Sequence, residues 1–197
     1  FPLDQYHARG IAATIELADK LNFSKNSTII DIGCGLGGPA RYFSKRFNCN
    51  VYGIDITEAF IEIGNYFNKL THIDHQVTLL KGDGENLPYQ TEFFDGAVSQ
   101  HVTMNIENRE QFFNEAFRVL KKGAIFGFSE HGLGTKGSPI FPLPWADNED
   151  MSFLKTPEYT KSLLKKIGFK NIKIISTGEK YISGYNSLLK KGQSNEK

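Results

Sequence analysis

The chain has 197 residues, of which 40% are hydrophobic and 23% are charged, and its formal net charge is +1. These values are typical of one soluble globular domain, and no apolar run approaches the roughly 20 residues that a membrane-spanning helix needs. The two cysteines, Cys34 and Cys49, lack metal-ligand spacing, and the lysines that gather after residue 150 lack interleaved aromatic residues. We therefore expect a cytoplasmic protein without a metal site, a membrane span or a nucleic-acid partner.

Apolar periodicity and turn-forming residues predict a regular alternation of helices and strands. In chain order, the predicted elements are a helix at 7–22, a strand at 27–33, a helix at 39–47, a strand at 50–56, a helix from 58 to about 70, strands at 75–82 and 93–101, a helix at 108–122, a strand at 124–131 and a helix at 156–167. We expect Pro39 to begin its helix, Thr57 to cap the next one, and Gly123 and Gly168 to end the helices at 108–122 and 156–167. Units of this kind form a parallel sheet with helices on both faces, so we expect an α/β fold.

The last part of the chain carries a different pattern. Two strand-like runs, residues 171–177 and 181–189, are separated by too few residues for a helical crossover, so we expect an antiparallel hairpin. Residues 132–155 are rich in proline, glycine and aromatic residues and follow the fifth strand, at the edge where ligands bind in such sheets. We expect a single domain over 1–190, with 132–155 as a loop that covers the substrate and 191–197 as a disordered tail.

The stretch IIDIGCGLGGPARYF places Gly33, Gly35, Gly37 and Gly38 between the first strand and the next helix. Glycines at the G-x-G-x-x-G spacing leave the main chain bare, so a ligand can lie against the turn, where free N–H groups and the helix dipole favour an anion. Sites for NAD, FAD and S-adenosylmethionine share this pattern. A glycine turn with a purely structural role is the alternative.

Acidic residues follow the next two strands. Asp55 ends the second strand about 20 residues after the glycines, where a carboxylate can accept both ribose hydroxyls of an adenosine ligand. Asp83, in the motif GDGENLPY, lies at the same sheet edge, where it can accept from an adenine amino group. The alternatives are an incidental strand-end aspartate for Asp55 and a turn-forming aspartate before Gly84 for Asp83.

Five motifs of the chain resemble those of class I S-adenosylmethionine-dependent methyltransferases: DIGCGLGG, VYGID, GDGENLPY, FFDGAVSQHVTMNI and AFRVLKKGAIFGFSE. More narrowly, the chain resembles the branch of ubiquinone and menaquinone C-methyltransferases, tocopherol methyltransferases and glycine/sarcosine N-methyltransferases, the type 11 methyltransferases. The resemblance implies a Rossmann-like, doubly wound sheet of seven strands in the order 3-2-1-4-5-7-6, with strand 7 antiparallel, which agrees with the expected hairpin. It also implies that residues 1–24 form an N-terminal cover helix.

The resemblance further implies a binding site for S-adenosylmethionine, which leaves as S-adenosylhomocysteine. The implied cofactor-binding positions are Gly33, Gly35 and Gly37 along the methionine part, Asp31 at the glycine turn or the ammonium group, Asp55 at the ribose, Ile56, Asp83 and Gly84 at the adenine, Gln100 beside the sulfonium, and Tyr6 or Gln5 at the carboxylate.

Methyl transfer from a sulfonium mainly requires positioning and the exclusion of water, and a base is needed only where the acceptor must lose a proton. The candidate catalytic side chains are His101, Gln100 and His7, with His131 as a further candidate base, because histidine titrates near neutral pH. Each of these histidines can instead be a packed or loop residue.

Loop side chains give three readings of the acceptor side: an apolar substrate wall, an aromatic cage for an ammonium group, or a lid packed on the domain's own core. The residues concerned are Met104, Phe141, Trp145 and Phe153. The leading interpretation is a methyltransferase acting on a small molecule, at an amine nitrogen or a quinone- or lipid-like carbon. The alternatives are an NAD-dependent oxidoreductase with the same glycine turn and a non-catalytic module that binds the cofactor and a partner. The oligomeric state stays open.

Overall fold

A computed structural model of the protein describes residues 4–135, 137–184 and 186. Among these residues, the strands are β1 (Thr28–Ile32), β2 (Asn50–Asp55), β3 (Val77–Lys81), β4 (Phe94–Gln100) and β5 (Leu120–Ser129). The α-helices are α1 (Ile11–Ala18), α2 (Gly38–Phe47), α3 (Glu58–Leu70), α4 (Arg109–Val119) and α5 (Pro157–Ile167). Short 3₁₀ turns lie at Thr103–Asn105 and Glu149–Met151.

The strands form one parallel sheet in the order β3-β2-β1-β4-β5. Ile30 of β1 is in register with Tyr52 of β2 on one side and with Ala97 of β4 on the other. The chain order reverses between β1 and β4, and ligands bind at such a switch point in open α/β sheets. The predicted Rossmann-like α/β architecture is confirmed, and the predicted strand order is confirmed for its first five positions.

Hydrophobic cores on both faces of the sheet hold the helices in place. Alternate residues of β1 serve the two faces: Ile29 shares one core with Phe43 of α2, and Ile30 shares the other with Phe112 of α4. All four side chains are fully buried, and each such burial stabilises the fold by about 1.5–3 kcal/mol. The packed sheet therefore fixes the carboxyl ends of β1, β2 and β4 side by side, and these ends carry the candidate site.

The end of the described chain differs from the prediction. Residues 171–177 form no strand, and residues 178–184 are helical. The antiparallel hairpin and the seven-strand order are therefore not confirmed. A sequence with strand propensity forms a strand only where a neighbouring strand pairs with it. Here the segment that follows residues 171–177 is helical, and its Tyr181 hydroxyl lies 2.9 Å from Nε2 of His101 at the carboxyl edge of the sheet.

The helix predicted at 108–122 ends earlier than expected. α4 stops at Val119 and β5 begins directly at Leu120. Gly123, predicted to end the helix, lies inside the strand with a φ of 80°. The register between β4 and β5 shifts at this point, so Gly123 accommodates an irregular start of the strand rather than a helix end.

Other helix ends follow from local chemistry. Pro39 lies in the first turn of α2 and Gly168 ends α5, both as predicted. Thr156, predicted as the first residue of that helix, instead caps α5, because its side chain accepts a hydrogen bond from the Tyr159 N–H. Thr57 precedes α3 as expected, but its side chain makes no capping hydrogen bond. The opening helix covers only Ile11–Ala18 of the longer predicted range.

The predicted disordered tail at 191–197 lies outside the described residues. In the part of the chain that the structure describes, no helix has the length and apolar character needed to cross a bilayer. Within the same residues, no group of three or more His, Cys, Asp or Glu side chains is arranged to hold a metal ion.

Candidate cofactor and acceptor site

The turn between β1 and α2 is built from glycines in the left-handed region. Gly33, Gly35 and Gly37 have φ values of 77°, 53° and 77°, which other residues adopt only with strain. A Cβ at Gly33 would lie 2.2 Å from Val102, and one at Gly37 would lie 2.6 Å from Leu79, so the protein's own packing excludes side chains there. A Cβ at Gly35 would meet no atom within 4 Å. Gly35 is therefore the position where bare main chain faces open space.

Asp55 ties this turn to the end of β2. Its Oδ2 accepts a hydrogen bond from the Gly35 N–H at 2.9 Å, and its Oδ1 accepts one from the Thr57 N–H at 2.9 Å. Each carboxylate oxygen keeps a further lone pair, so Asp55 can still accept from two neighbouring hydroxyls. The next residue, Ile56, is 70% exposed and offers an apolar surface beside the carboxylate.

Asp31 lies on β1, just before the turn, and is 1% exposed. Its Oδ2 is buried and has no hydrogen-bond partner among the described residues. Burial, together with the negative charge of Asp55, raises the pKa of the Asp31 carboxyl to about 7. A buried oxygen without a partner costs about 1–3 kcal/mol, so this atom fits a site that receives a hydrogen-bond donor or a cation.

Asp83 lies in the turn that follows β3 and is exposed. Its Oδ1 accepts from the Glu85 N–H at 2.8 Å, and its main chain forms an isolated bridge with Asn86, so the carboxylate shapes the turn. A Cβ at Gly84 would lie 2.9 Å from the ring of Phe112, so the glycine lets this turn approach α4 closely. Contact of either residue with an adenine ring stays a prediction.

The segment before α1 lies across the start of α2. Arg41 binds the Asp4 carboxylate at 2.9 Å. A Cβ at Gly38 would lie 2.1 Å from the Asp4 carbonyl oxygen, so the segment touches the first turn of α2. Tyr6 is 71% exposed and stacks on Phe60 with ring centroids 5.9 Å apart. The segment therefore flanks the glycine turn, and the contact of Tyr6 with a cofactor stays a prediction.

A buried polar network joins the same segment to the end of β4. The Thr14 hydroxyl of α1 hydrogen-bonds Gln5 at 2.7 Å, His7 at 3.0 Å and Gln100 at 3.2 Å. Gln100 is 6% exposed, and its Oε1 is buried without a hydrogen-bond partner among the described residues. The Gln100 amide is thus anchored through its nitrogen, while its oxygen is left to accept from a ligand.

The histidines predicted as candidates meet at this edge of the sheet. The rings of His7 and His101 stack with centroids 5.6 Å apart, and the ring of His131 lies 4.7 Å from that of His101. Trp145 stacks on His131 at 4.7 Å, and the Tyr181 hydroxyl lies 2.9 Å from His101 Nε2. Sequence reasoning missed Tyr181 because its segment was predicted to be a strand of the closing hairpin.

Burial favours the neutral form of these three rings. It lowers the pKa of His101 to about 3, with smaller contributions from His131 and His7, and it also lowers the pKa values of His7 and His131. The Nδ1 atom of His101 is buried without a partner among the described residues. Because a base of such low pKa accepts protons weakly at neutral pH, His101 is suited to hydrogen bonding and orientation more than to strong base catalysis.

The loop at 132–155 carries three of the four predicted wall residues. The Phe153 N–H donates to the Met104 carbonyl at 2.8 Å, and the Met104 side chain is 4% exposed. Phe141 and Phe153 are partly buried. Trp145 reaches the histidines through its stack on His131. The structure therefore brings Trp145 to the histidine cluster and places Met104 in the interior.

An ion pair buried beneath the loop fixes the loop ends. Arg109 is 2% exposed and binds the Glu130 carboxylate at 2.5 Å. It also donates to the Phe153 carbonyl at 3.1 Å, and Thr160 of α5 hydrogen-bonds both members of the pair. Glu130 directly precedes His131, so the pair holds the end of β5, the loop and α5 in one arrangement. Sequence reasoning missed the pair because Glu130 is only the last residue of the motif AFRVLKKGAIFGFSE and Arg109 lies in no motif, so nothing in the sequence links them.

The parallel sheet, the glycine turn at its switch point and the acidic residue at the end of β2 define the Rossmann-like class of cofactor-binding domains. A family model described as a methyltransferase domain matches residues 30–128. The chain belongs to this methyltransferase family.

The chain is similar in sequence to known methyltransferases, and it shares its fold with a solved structure. A sterol 24-C-methyltransferase of Candida albicans is 33% identical over 114 residues, which are 58% of this chain and 30% of the relative. A sarcosine/dimethylglycine N-methyltransferase of Halorhodospira halochloris is 28% identical over 161 residues, which are 81% of this chain and 58% of the relative. The structure of phosphoethanolamine N-methyltransferase 2 of Haemonchus contortus in complex with S-adenosyl-L-methionine superposes with a TM-score of 0.86 at 19% identity, over 99% of this chain and 45% of that one. The chain thus spans less than two thirds of the length of each of these proteins.

Proposed function

We propose that this chain is the catalytic domain of an S-adenosylmethionine-dependent methyltransferase that acts on a small molecule. The observation that carries the proposal is the bare main chain of Gly35, which faces open space and is held in place by Asp55, in a chain that belongs to a methyltransferase family. The positive φ of Gly35 by itself favours glycine, and the open space next to its Cα leaves room for a ligand against the turn.

The residues present fit S-adenosylmethionine as the donor. When bound, the donor supplies an electrophilic methyl group on a positively charged sulfur. The residues that would hold it are the main chain at Gly33, Gly35 and Gly37 along the methionine part, Asp55 at the ribose, Ile56, Asp83 and Gly84 at the adenine, and Asp31 with Tyr6 at the amino-acid end. The unpartnered Oδ2 of Asp31 supports this assignment, because a buried carboxyl oxygen needs a donor such as an ammonium group.

We place the methyl acceptor at the cluster of His7, His101 and His131. The uncharged rings and the stacked Trp145 exclude water from the acceptor, and positioning with desolvation supplies most of the acceleration in such a displacement. His101, with Tyr181 on its Nε2, would orient the attacking atom, and a proton released from the acceptor can pass to one of the histidines. The names of the two relatives include a carbon acceptor and a nitrogen acceptor. The proposed substrate is therefore an amine or a quinone- or lipid-like carbon.

The domain arrangement proposed from sequence fits this division. Residues 1–24 would cover the donor, residues 132–155 would cover the acceptor, and both belong to one domain over 1–190. Cys34 and Cys49 are free thiols, which supports the proposed reducing, cytoplasmic location.

A calorimetric titration with S-adenosylhomocysteine and, separately, with NADH tests the donor assignment. We expect micromolar binding of S-adenosylhomocysteine and none of NADH, and the reverse result would replace the proposal with an oxidoreductase. A screen with radiolabelled methyl donor against pooled cellular metabolites, followed by mass identification of the product, tests the reaction. Binding of the donor without transfer to any metabolite would favour the non-catalytic module.

A further inference from the structure

The Thr14 hydroxyl is completely buried and makes three hydrogen bonds. It donates to Oε1 of Gln5, and because an amide oxygen only accepts, this bond uses the single proton of the hydroxyl. The Thr14 oxygen must therefore accept the other two bonds, from Nε2 of Gln100 and from Nε2 of His7. One donor and two lone pairs are then all used, so the directions of the three bonds are fixed.

These bond directions determine the tautomer of His7 and the orientation of the Gln100 amide. His7 carries its proton on Nε2, because only an N–H can donate to Thr14 at 3.0 Å, whereas its Nδ1 lies 3.5 Å from the Ala8 carbonyl, at the limit of a hydrogen bond. The Gln100 amide must turn its nitrogen toward Thr14, because a flipped amide would set oxygen lone pairs against oxygen lone pairs. The Gln100 Oε1 is then the atom directed away from Thr14, buried and without a partner among the described residues.

Gln100 ends β4 beside the glycine turn. The preceding residue, Ser99, donates through its hydroxyl to the Ile32 carbonyl at 2.8 Å, and Val102 would lie 2.2 Å from a Cβ at Gly33. The end of β4 is therefore in direct contact with the end of β1 and with the turn. In the proposed function the methyl donor lies along this turn, and the resemblance to class I methyltransferases implies that its positively charged sulfur lies beside Gln100.

We propose that Thr14 is a positioning residue that turns the oxygen of the Gln100 amide, rather than its NH₂ group, toward the positively charged sulfur of the donor. This inference rests on the proposed donor site. The amide oxygen carries partial negative charge, so it stabilises the sulfonium of S-adenosylmethionine more than the neutral thioether of S-adenosylhomocysteine. Thr14 thereby helps the domain hold the donor more tightly than the spent product.

Calorimetric titration of the whole chain with each ligand separately tests this selectivity. Thr14→Val keeps the shape of the side chain and removes the hydroxyl. We expect it to raise the Kd of S-adenosylmethionine about tenfold, the size expected for one interaction with a charged group, and that of S-adenosylhomocysteine less than threefold. Thr14→Ser restores the hydroxyl and should return both Kd values to within about twofold of the wild type. Thr160→Val, the same change at a buried threonine away from Gln100, should leave the ratio of the two Kd values unchanged.

Two further measurements keep the proposal testable if Thr14→Val folds poorly. Gln100→Met removes the amide oxygen and should reproduce the selective loss of S-adenosylmethionine binding. Nitrogen-15 NMR of the wild-type protein should show His7 as the Nε2–H tautomer, because only a His7 that donates to Thr14 leaves the Thr14 proton for Gln5 and so fixes the direction of the Gln100 amide.

The results that would overturn the inference are separate from those that would overturn the donor site. Equal weakening of both ligands in Thr14→Val, no change in either Kd, or an Nδ1–H tautomer of His7 would overturn the role of Thr14 alone. Failure of the wild-type protein to bind either ligand would overturn the donor site itself, and the inference with it.

Discussion

Replacement of Gly35 by alanine should have separate effects on the stability of the fold and on the affinity for the ligand. Gly35 has a φ of 53°, and an added Cβ would meet no atom within 4 Å. The methyl group therefore costs the folded protein only left-handed backbone strain, about 1–2 kcal/mol, or about 2–8 °C in melting temperature for a domain of this size. The same methyl group would stand where the methionine part of the donor is proposed to lie. Overpacking of that kind costs about 1–3 kcal/mol, which raises a Kd about 5- to 150-fold.

Gly123→Ala provides a matched control for this experiment. Gly123 also has a positive φ, 80°, with no atom within 4 Å of an added Cβ, but it lies near the start of β5, at the opposite edge of the sheet. We expect the two variants to lose similar stability in thermal unfolding, and only Gly35→Ala to weaken the calorimetric binding of S-adenosylhomocysteine. Equal affinity of wild type and Gly35→Ala would refute the placement of a ligand on this turn.

Further predictions concern Asp55 and His101. Asp55→Asn should raise the Kd of S-adenosylhomocysteine about tenfold or more. The NH₂ group of the asparagine would face the N–H of Gly35 or Thr57, and one acceptor for a ribose hydroxyl would be lost. An unchanged calorimetric Kd would show that Asp55 does not bind the ribose. His101→Ala should lower turnover of the acceptor found in the screen by more than it changes donor affinity, and full activity would make His101 a packing residue. Because burial lowers the pKa of His101 to about 3, between about pH 6.5 and pH 3 this ring is protonated in the unfolded chain and neutral in the native protein. The free energy of unfolding therefore falls by about 1.4 kcal/mol for each unit that the pH drops over this range. Urea denaturation between about pH 7 and pH 5 should show a shallower fall for His101→Gln than for wild type, and parallel curves would contradict a buried neutral ring.

The central sheet was predictable because its strands are short apolar runs separated by strong turn and capping residues. Pro39 at the start of α2 and Gly168 at the end of α5 act through their own backbone preferences, so their effect is local and readable. The glycine turn was predictable for the same reason. Gly33, Gly35 and Gly37 have a positive φ, a conformation that favours glycine, so the turn is visible in the sequence as a run of glycines.

The closing hairpin could not be read in the same way. Residues 171–177 and 181–189 carry strand-like sequences, but a strand requires a partner, and the described part of the second run is helical, with Tyr181 docked on His101. The helix end predicted at Gly123 was wrong for a related reason. A glycine after a helical pattern indicates a helix end, but here β5 has already begun at Leu120.

The candidate site was predictable in its parts and not in its assembly. His7 and His101 were candidates from separate segments, and their stacking depends on how α1 packs across the sheet. The Arg109–Glu130 pair and the Thr14 network join residues of separate segments, and no single motif contains either of them. For Thr14 a signal did exist, because a polar residue stands among the apolar positions of the helix IAATIELA, where a buried hydroxyl needs partners.

The proposed donor site can be observed directly in a crystal structure of the complex with S-adenosylhomocysteine. We expect the ligand to lie on the Gly33–Gly37 main chain, with its ribose hydroxyls within hydrogen-bonding distance of Asp55 and its sulfur beside Gln100. A complex in which the ligand binds elsewhere, or in which the crevice above Gly35 stays empty at saturating ligand, would contradict the proposed donor site.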